Sequence, residues 1–209
     1  MKELEQRLID LEAQFGGRVE GPKRHASPLD ARENRLSGRM QGGDRMATKH
    51  KYASIYARHL ADRLESVKVL VEVGVFQGSG LAIWCELFPE ASIIGLDIDL
   101  SHYAENIPRL LGLGAFRANF PSVRTYDQLC PCSLEDVLSA PIDIYIDDGL
   151  HTDDAILSSL KHVAPHLAPN ATCFLEDTKT VGPKVREAYP AWKVIEYENI
   201  VYASPTKGQ

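Results

Sequence analysis

The sequence VEVGVFQGSG at residues 71–80 decides the fold class. It closes the apolar run VKVLVEVGV, continues through Gly74, Gly78 and Gly80, and leads into the helix-like stretch GLAIWCELF. A short apolar run bounded by glycines predicts a buried strand, and the apolar residues after it predict a helix. Glycines between the two permit positive φ angles and a close approach of a ligand to the backbone. The segment therefore predicts a strand, turn and helix unit with a ligand site at its turn.

Outward from this unit, apolar strands alternate with helical segments. Residues 51–65 have helical periodicity, the runs ASIIGLDID, PIDIYIDDG and ATCFLEDT are typical of buried strands, and a weaker strand is predicted near residues 114–118. Strands separated by helices predict a parallel sheet covered on both faces. The final runs WKVIEYEN and IVYASP favour an antiparallel hairpin at the sheet edge. We expect an α/β fold with a doubly wound, Rossmann-like, mostly parallel sheet and a C-terminal antiparallel hairpin, which resembles the class I methyltransferase fold.

The N-terminal region differs from the rest of the chain. Leu4, Leu8, Leu11 and Phe15 fall on one face of a helix, which either docks on its own domain or mediates dimerisation. Residues 16–47 are polar, rich in Gly and Arg and without periodicity, as expected for a linker or a lid. The predicted division is an N-terminal helix with a polar arm or lid at 1–47 and one domain of the methyltransferase type at 48–209.

Composition narrows the class of protein. The chain has 209 residues and a formal net charge of -6, which argues against nucleic acid as a partner. It contains no apolar run of the roughly 20 residues that cross a bilayer, and its start does not resemble a secretory signal, so we expect a soluble, cytoplasmic protein with no membrane partner. The four cysteines lack the spacing of a zinc site.

Two acidic residues suggest which ligand the glycine turn binds. Glu72 ends the first strand, and Asp97 ends the next one, where a carboxylate can accept hydrogen bonds from both ribose hydroxyls. The G-x-G-x-x-G fingerprint of NAD sites is absent, and Glu72 would repel a pyrophosphate but suits the ammonium of a methionine moiety. S-adenosylmethionine (SAM) therefore fits better than NAD, while a tight turn without a ligand stays the alternative. The predicted cofactor residues at these strand ends are Glu72, Gly74, Gly78, Ser79, Asp97 and Asp147.

A second acidic group follows the next two strands. Asp148 comes at the end of one strand, and Glu176 and Asp177 come at the end of its neighbour. Three carboxylates that converge in a cleft require a compensating cation, and hard oxygen ligands favour Mg²⁺ or Mn²⁺ over zinc. Such a metal would bind a substrate hydroxyl beside the methyl donor. His151, three residues after Asp148, is placed to take the hydroxyl proton as general base.

In these residues the chain resembles the macrocin and mycinamicin type of metal-dependent sugar O-methyltransferases. The matching stretches are GGDRMATKHKYASIY (42–56), VEVGVFQGSG (71–80), GLDID (95–99), Tyr126-Asp127-Gln128, IDDGLH (146–151) and LEDT (175–178). The resemblance implies a Mg²⁺ ion at Asp148, Glu176 and Asp177, with His151 as the base for a sugar hydroxyl. It also implies that Asp127 and Gln128 lie near the adenine end of SAM, and that the protein is a homo-oligomer.

Three functions stay open at this point. The first is SAM- and Mg²⁺-dependent O-methylation of a sugar or a glycosylated natural product, as in antibiotic biosynthesis. The second keeps the cofactor and the metal but replaces the acceptor by a small phenol or catechol, because vicinal oxygens chelate a metal equally well. The third is a non-catalytic SAM-binding scaffold that acts through the N-terminal helix and the basic arm.

Overall fold

A seven-stranded sheet forms the centre of the molecule. The computed structural model describes residues 1–18, 41–47, 49–131, 134–135 and 138–206. Within them the sheet strands are β1 Val69–Val73, β2 Ser92–Asp97, β3 Ser122–Thr125, β4 Ile142–Asp147, β5 Leu167–Glu176, β6 Trp192–Glu196 and β7 Ile200–Pro205. Their order is β3-β2-β1-β4-β5-β7-β6. Strands β1 to β5 are parallel, whereas β7 pairs antiparallel with both β5 and β6, so the predicted parallel sheet and C-terminal hairpin are confirmed.

Helices cover both faces of this sheet. They are α1 Lys2–Phe15, α2 Ala53–Leu60, α3 Ser79–Leu87, α4 Ser101–Gly112, α5 Asp153–Val163 and α6 Val181–Ala188. A 3₁₀ turn, Ala164–His166, follows α5, and a two-residue antiparallel pair joins Gly17–Arg18 to Gln41–Gly42. Because side chains alternate along a strand, Leu70 faces the apolar cluster under α1 to α4, while Val71 faces the cluster under α5 and α6. Both faces are buried, which explains why every residue of β1 except Glu72 is valine or leucine.

The N-terminal helix α1 belongs to the first of these clusters. Its apolar residues Leu4, Leu8, Leu11 and Phe15 are all buried against the domain. The Arg109 guanidinium of α4 also donates a hydrogen bond to the Phe15 carbonyl at 3.1 Å. The interpretation of a helix docked on its own domain is therefore confirmed for this face.

Some local predictions were wrong. Residues 114–118 are not a strand, because Gly114 and Phe116 adopt positive φ angles of 87° and 63°, which break an extended backbone; the strand lies later, at β3. The helix predicted over 51–65 is the shorter α2. Residues 19–40 of the predicted arm and Cys132 lie outside the described residues. In the part of the chain that is described, no helix is long and apolar enough to span a bilayer.

Candidate active site

The predicted site residues lie at the carboxyl ends of the parallel strands: most follow β1, β4 and β5, while Asp97 ends β2 and Asp127 and Gln128 follow β3. Strand β1 leads through α3 to β2 on one side, whereas its neighbour on the other side is β4. The chain therefore changes winding direction between β1 and β4. In open α/β sheets, ligands bind in the crevice at such a switch point.

The turn after β1 passes unusually close to the end of β4. Gly74 has φ 92°, and a Cβ atom there would lie 2.0 Å from the Asp148 carbonyl oxygen. Only glycine fits this position, because both the backbone conformation and the space exclude a side chain. Gly78 has φ 77° and precedes α3, whose first residue is Ser79. The predicted glycine turn thus forms one wall of the crevice.

Glu72 lies under this turn with 1% of its surface exposed. Its Oε1 accepts hydrogen bonds from Arg45 at 2.6 Å and from the Trp84 indole at 3.1 Å. Its Oε2 is buried and has no hydrogen-bond partner among the described residues. Burial raises the pKa of Glu72, and the nearby Arg45 charge offsets only part of that rise. A buried acceptor without a donor fits a ligand that brings a charged N–H group.

Asp97 holds the glycine turn from the neighbouring strand. Its Oδ2 accepts hydrogen bonds from the backbone N–H groups of Val75 and Phe76, both at 2.8 Å, and its Oδ1 accepts one from Asp99 at 3.0 Å. The carboxylate is half-buried. Since each carboxylate oxygen has two acceptor sites, Oδ1 retains capacity for a ligand hydroxyl.

Asp147 and Gln128 form a buried network instead of facing the crevice. The Gln128 amide donates to both Asp147 oxygens at 2.9 and 3.0 Å, and the Tyr145 hydroxyl donates at 2.8 Å. Gln128 also accepts from the Leu150 N–H at 2.7 Å, while Asp127 accepts from the Leu129 N–H at 2.9 Å. With Asp147 fully buried, burial raises its pKa. The structure thus gives Asp147 and Gln128 protein partners that fix the loop after β4.

Asp148 points the other way, into the crevice, and meets the residues after β5. The His151 Nε2 atom lies 2.9 Å from Asp148 Oδ1, and its Nδ1 lies 3.9 Å from Asp177 Oδ2. Ligand atoms of Asp148, His151 and Asp177 all fall within 4.8 Å of one another, a spacing that suits a metal ion. His151 and Asp177 both have positive φ angles, 59° and 53°. Such conformations are uncommon for non-glycine residues and concentrate at functional sites.

Glu176 faces a cation that the sequence did not predict. Its Oε2 lies 3.0 Å from the Arg45 Nε atom, and its Oε1 accepts a hydrogen bond from the Tyr56 hydroxyl. Arg45 also contacts Asp148 Oδ2 at 2.5 Å. Burial alone would raise the pKa of Asp148, but the charges of Arg45 and His151 outweigh it and hold that pKa well below its usual range. Oxygens of Asp148 and Glu176 therefore both face the Arg45 guanidinium. Of the three predicted metal ligands, Asp148 and Asp177 belong to the group of ligand atoms within 4.8 Å of one another, whereas Glu176 does not and His151 does.

Two further residues contact Asp177. Asp177 Oδ1 accepts a hydrogen bond from the Tyr52 hydroxyl at 2.8 Å and lies 3.0 Å from His50 Nδ1. Arg45, His50, Tyr52 and Tyr56 were missed as site residues, although all four lie in the stretch GGDRMATKHKYASIY that carries the resemblance. That stretch was the available signal, but no local pattern in it shows which side chains reach the strand ends.

The strand order, the glycine turn and the crevice at the switch point define the class I methyltransferase fold. A family model described as a methyltransferase domain matches residues 71–178, about half of the chain, so the chain belongs to this family. Among solved structures, the fold is similar to the MycE methyltransferase of the mycinamycin pathway in complex with Mg and SAH. That match has a TM-score of 0.60 at 21% identity and covers 79% of this chain and 52% of the other.

Proteins similar to this chain in sequence have names that specify an O-methyltransferase activity. The chain is 31% identical over 151 residues to an 8-demethyl-8-alpha-L-rhamnosyl tetracenomycin-C 2'-O-methyltransferase of Streptomyces olivaceus, which covers 67% of this chain and 36% of the relative. It is 31% identical over 140 residues to a mycinamicin VI 2''-O-methyltransferase of Micromonospora griseorubida, with 63% of this chain and 32% of the relative covered. The chain thus matches about a third of the length of these relatives.

Proposed function

We propose that this chain catalyses SAM-dependent O-methylation of a hydroxyl on a sugar or a glycosylated natural product, with Mg²⁺ as the metal. The observation that carries the proposal is that two unlike features meet in one crevice, which both Glu72 and Asp148 line. One is the buried Glu72 oxygen beside the glycine turn, which has no hydrogen-bond partner among the described residues, and the other is the cluster of Asp148, His151 and Asp177. The names of the related sugar O-methyltransferases support the acceptor class.

The residues of the first strand ends bind the methyl donor in this proposal. Glu72 accepts a hydrogen bond from the ammonium of the methionine moiety, since its Oε2 is buried and no group in the described part of the chain donates to it. Asp97 accepts the ribose hydroxyls with the remaining capacity of its carboxylate. Asp147 and Gln128, which were predicted as cofactor residues, act here by positioning the loop that follows β4. Asp127 stays predicted to lie near the adenine end of SAM.

The second group of residues carries the chemistry. Asp148, Glu176 and Asp177 would hold the metal, which when bound supplies positive charge that lowers the pKa of a substrate hydroxyl. His151 removes the hydroxyl proton and retains it on the imidazole. The acceptor oxygen then forms a bond to the methyl carbon as the bond from that carbon to sulfur breaks. Tyr52 and His50 orient Asp177, because both contact its Oδ1 atom.

The roles of His151 and Asp148 can be tested by substitution. We expect His151→Ala to lower turnover by about 100-fold or more, because general acid–base catalysis contributes about that factor. We expect Asp148→Ala to abolish most turnover because it removes a residue that would hold the metal. Both variants should retain SAM binding measured by calorimetry. His162→Ala is the matched control, since it removes a histidine from the last turn of α5, at the far end of that helix from the strand termini. Near-normal turnover in either site variant would show that its assigned role is wrong.

The acceptor class needs its own assay. Glycosylated natural products and free sugars are compared with catechols at matched concentration, with methyl transfer followed by mass spectrometry. Methylation of a sugar hydroxyl supports the proposal, whereas exclusive methylation of catechols supports the phenol alternative. SAM binding without methyl transfer to any acceptor and without metal binding favours the scaffold. Homo-oligomerisation and cytoplasmic localisation stay predictions, the first to be checked by light scattering.

A further inference from the structure

The Arg45 guanidinium lies at the centre of the carboxylate cluster. Its Nη1, Nη2 and Nε atoms contact Glu72 at 2.6 Å, Asp148 at 2.5 Å and Glu176 at 3.0 Å. Only 11% of the Arg45 side chain is exposed. A single cation thus links the carboxylates at the ends of three neighbouring strands. Its contacts with Glu72 and Asp148 are charge-assisted hydrogen bonds, the strong type of protein hydrogen bond, and its contact with Glu176 is an ion pair.

Arg45 is supplied by a segment outside the sheet. It lies in a turn that α1 anchors, because the buried Glu12 carboxylate accepts hydrogen bonds from the Met46 and Ala47 N–H groups at 2.6 and 3.0 Å. The Arg45 carbonyl accepts a further bond from the Tyr52 N–H. The backbone is therefore fixed, whereas the long side chain reaches across the crevice to the strand ends.

The charges at this position do not balance with Arg45 alone. One guanidinium faces Glu72, Asp148 and Glu176, and Asp177 lies beyond them beside His151. Several carboxylates in a partly buried site repel one another unless cations neutralise them. The guanidinium neutralises part of this charge, and the excess leaves the cluster attractive to a second, stronger cation.

A divalent cation bound to Asp148 and Glu176 would compete with Arg45 for the same oxygens. The Asp148 Oδ2 and Glu176 Oε2 atoms already face one planar guanidinium. A metal within bonding distance of these oxygens would lie against the guanidinium, and two cations so close repel each other. The two cations therefore exclude each other at Asp148 and Glu176.

We propose that Arg45 is the resident cation of the metal-free site, which holds Asp148 and Glu176 until a divalent metal displaces its guanidinium. This inference rests on the metal dependence proposed above. In the metal-free protein Arg45 stabilises the cluster, and in the metal-bound protein it is released from Asp148 and Glu176. Arg45 thereby lowers the affinity for metal and makes binding depend on its displacement.

The test measures metal binding directly, independent of turnover. Mn²⁺ and Mg²⁺ are titrated by calorimetry into the wild type, Arg45→Gln and Arg45→Lys, and thermal unfolding is recorded with and without metal. Arg45→Gln is expected to bind metal about ten-fold more tightly than the wild type, because no guanidinium has to be displaced. Its metal-free form should melt earlier, and added metal should raise its melting temperature by more than in the wild type. Arg45→Lys keeps a charge but loses the three-way contact, so its metal affinity should fall between the two.

The matched control is Arg63→Gln. Arg63 is a partly buried arginine at the opposite end of the sheet, where it donates to Thr172 and to the Asp143 carbonyl. This variant should lose stability without any change in metal affinity. If Arg45→Gln does not fold without metal, the metal affinities of Arg45→Lys and the wild type are compared instead, and Arg45→Lys should bind metal more tightly.

The outcomes separate this inference from the proposed function. Equal or weaker metal binding by Arg45→Gln would overturn the inference, and so would an absence of metal binding in both the wild type and Arg45→Gln. Binding of SAM is measured in the same samples. If the wild type does not bind SAM, the proposed function is refuted. The metal titrations would still decide the role of Arg45.

Discussion

The substitution Glu72→Gln should separate cofactor binding from folding. The Glu72 Oε2 atom is buried and unpaired among the described residues, and Oε1 is already used by Arg45 and Trp84. A glutamine keeps the shape of the side chain but places an N–H donor on one of the two positions. If the amide nitrogen replaces Oε2 it points a donor at the ligand ammonium, and if it replaces Oε1 it opposes two protein donors. Neither orientation restores the original site.

The expected loss follows from this geometry. A hydrogen bond between a buried carboxylate and an ammonium contributes about 1.5–3 kcal/mol, which corresponds to a roughly 10- to 150-fold change in the dissociation constant. The fold should survive, because Arg45 retains Asp148 and Glu176 and because removal of a buried charge lowers its desolvation cost. We therefore expect much weaker binding of S-adenosylhomocysteine with little change in unfolding by urea.

Calorimetry with two ligands provides the assay. S-adenosylhomocysteine carries the ammonium, whereas 5'-methylthioadenosine lacks the amino-acid moiety and should bind to Glu72→Gln and to the wild type equally well. Trp84→Phe is the control, since it removes the other donor to Oε1 but keeps the carboxylate. Unchanged binding of S-adenosylhomocysteine by Glu72→Gln would refute the assignment, and equal losses for both ligands would point to a general distortion of the turn.

Two further predictions concern stability. Gly74→Ala should lower the free energy of unfolding by about 3 kcal/mol, because its Cβ would meet the Asp148 carbonyl; urea unfolding should show this loss, while Gly112→Ala, which meets nothing within 4 Å, should be neutral or slightly stabilising. Burial, together with the charges of Lys193 and Arg58, lowers the pKa of His59 from 6.5 to about 4. As the pH falls, His59 is protonated near pH 6.5 in the unfolded chain but only near pH 4 in the folded protein. The free energy of unfolding therefore decreases across this window by on the order of 1–2 kcal/mol for this partly exposed ring. Urea unfolding of His59→Gln from pH 7 to pH 4 should show a smaller decrease than the wild type, and an identical decrease would contradict the assignment.

Local patterns were sufficient for every strand of the sheet except β3 and for the acidic residues at the strand ends. The apolar runs, the glycines after β1 and the acidic residues after β4 and β5 are all short-range signals, and the structure confirms the strands that they predicted. The pair Asp147 and Asp148 shows where such signals end. Successive residues of a strand point in opposite directions, so only one member of the pair can face the crevice. The sequence analysis assigned a ligand role to both, Asp147 toward the cofactor and Asp148 toward the metal, whereas the structure turns Asp147 toward Gln128 and Asp148 toward His151.

The cations and hydroxyls that partner the carboxylates had no local signal. Arg45 is 103 residues away from Asp148 in sequence, and Tyr56 is 120 residues away from Glu176. Contacts over such separations depend on how α1, α2 and the turn between them pack on the finished sheet. Period and composition describe each element separately, so they do not reveal which side chains meet across the crevice.

The arginine and tyrosine residues that partner these carboxylates lie outside the segment that matches the family model. The family match covers residues 71–178, and it contains Glu72, Asp97, Asp148, His151, Glu176 and Asp177. Arg45, Tyr52 and Tyr56 lie before it, yet they contact Asp148, Asp177 and Glu176. Glu12 in turn anchors the turn that carries Arg45. The strand ends therefore supply the negative charges of the site, whereas the N-terminal segment supplies the groups that neutralise and orient them, and a site with controlled charge requires both.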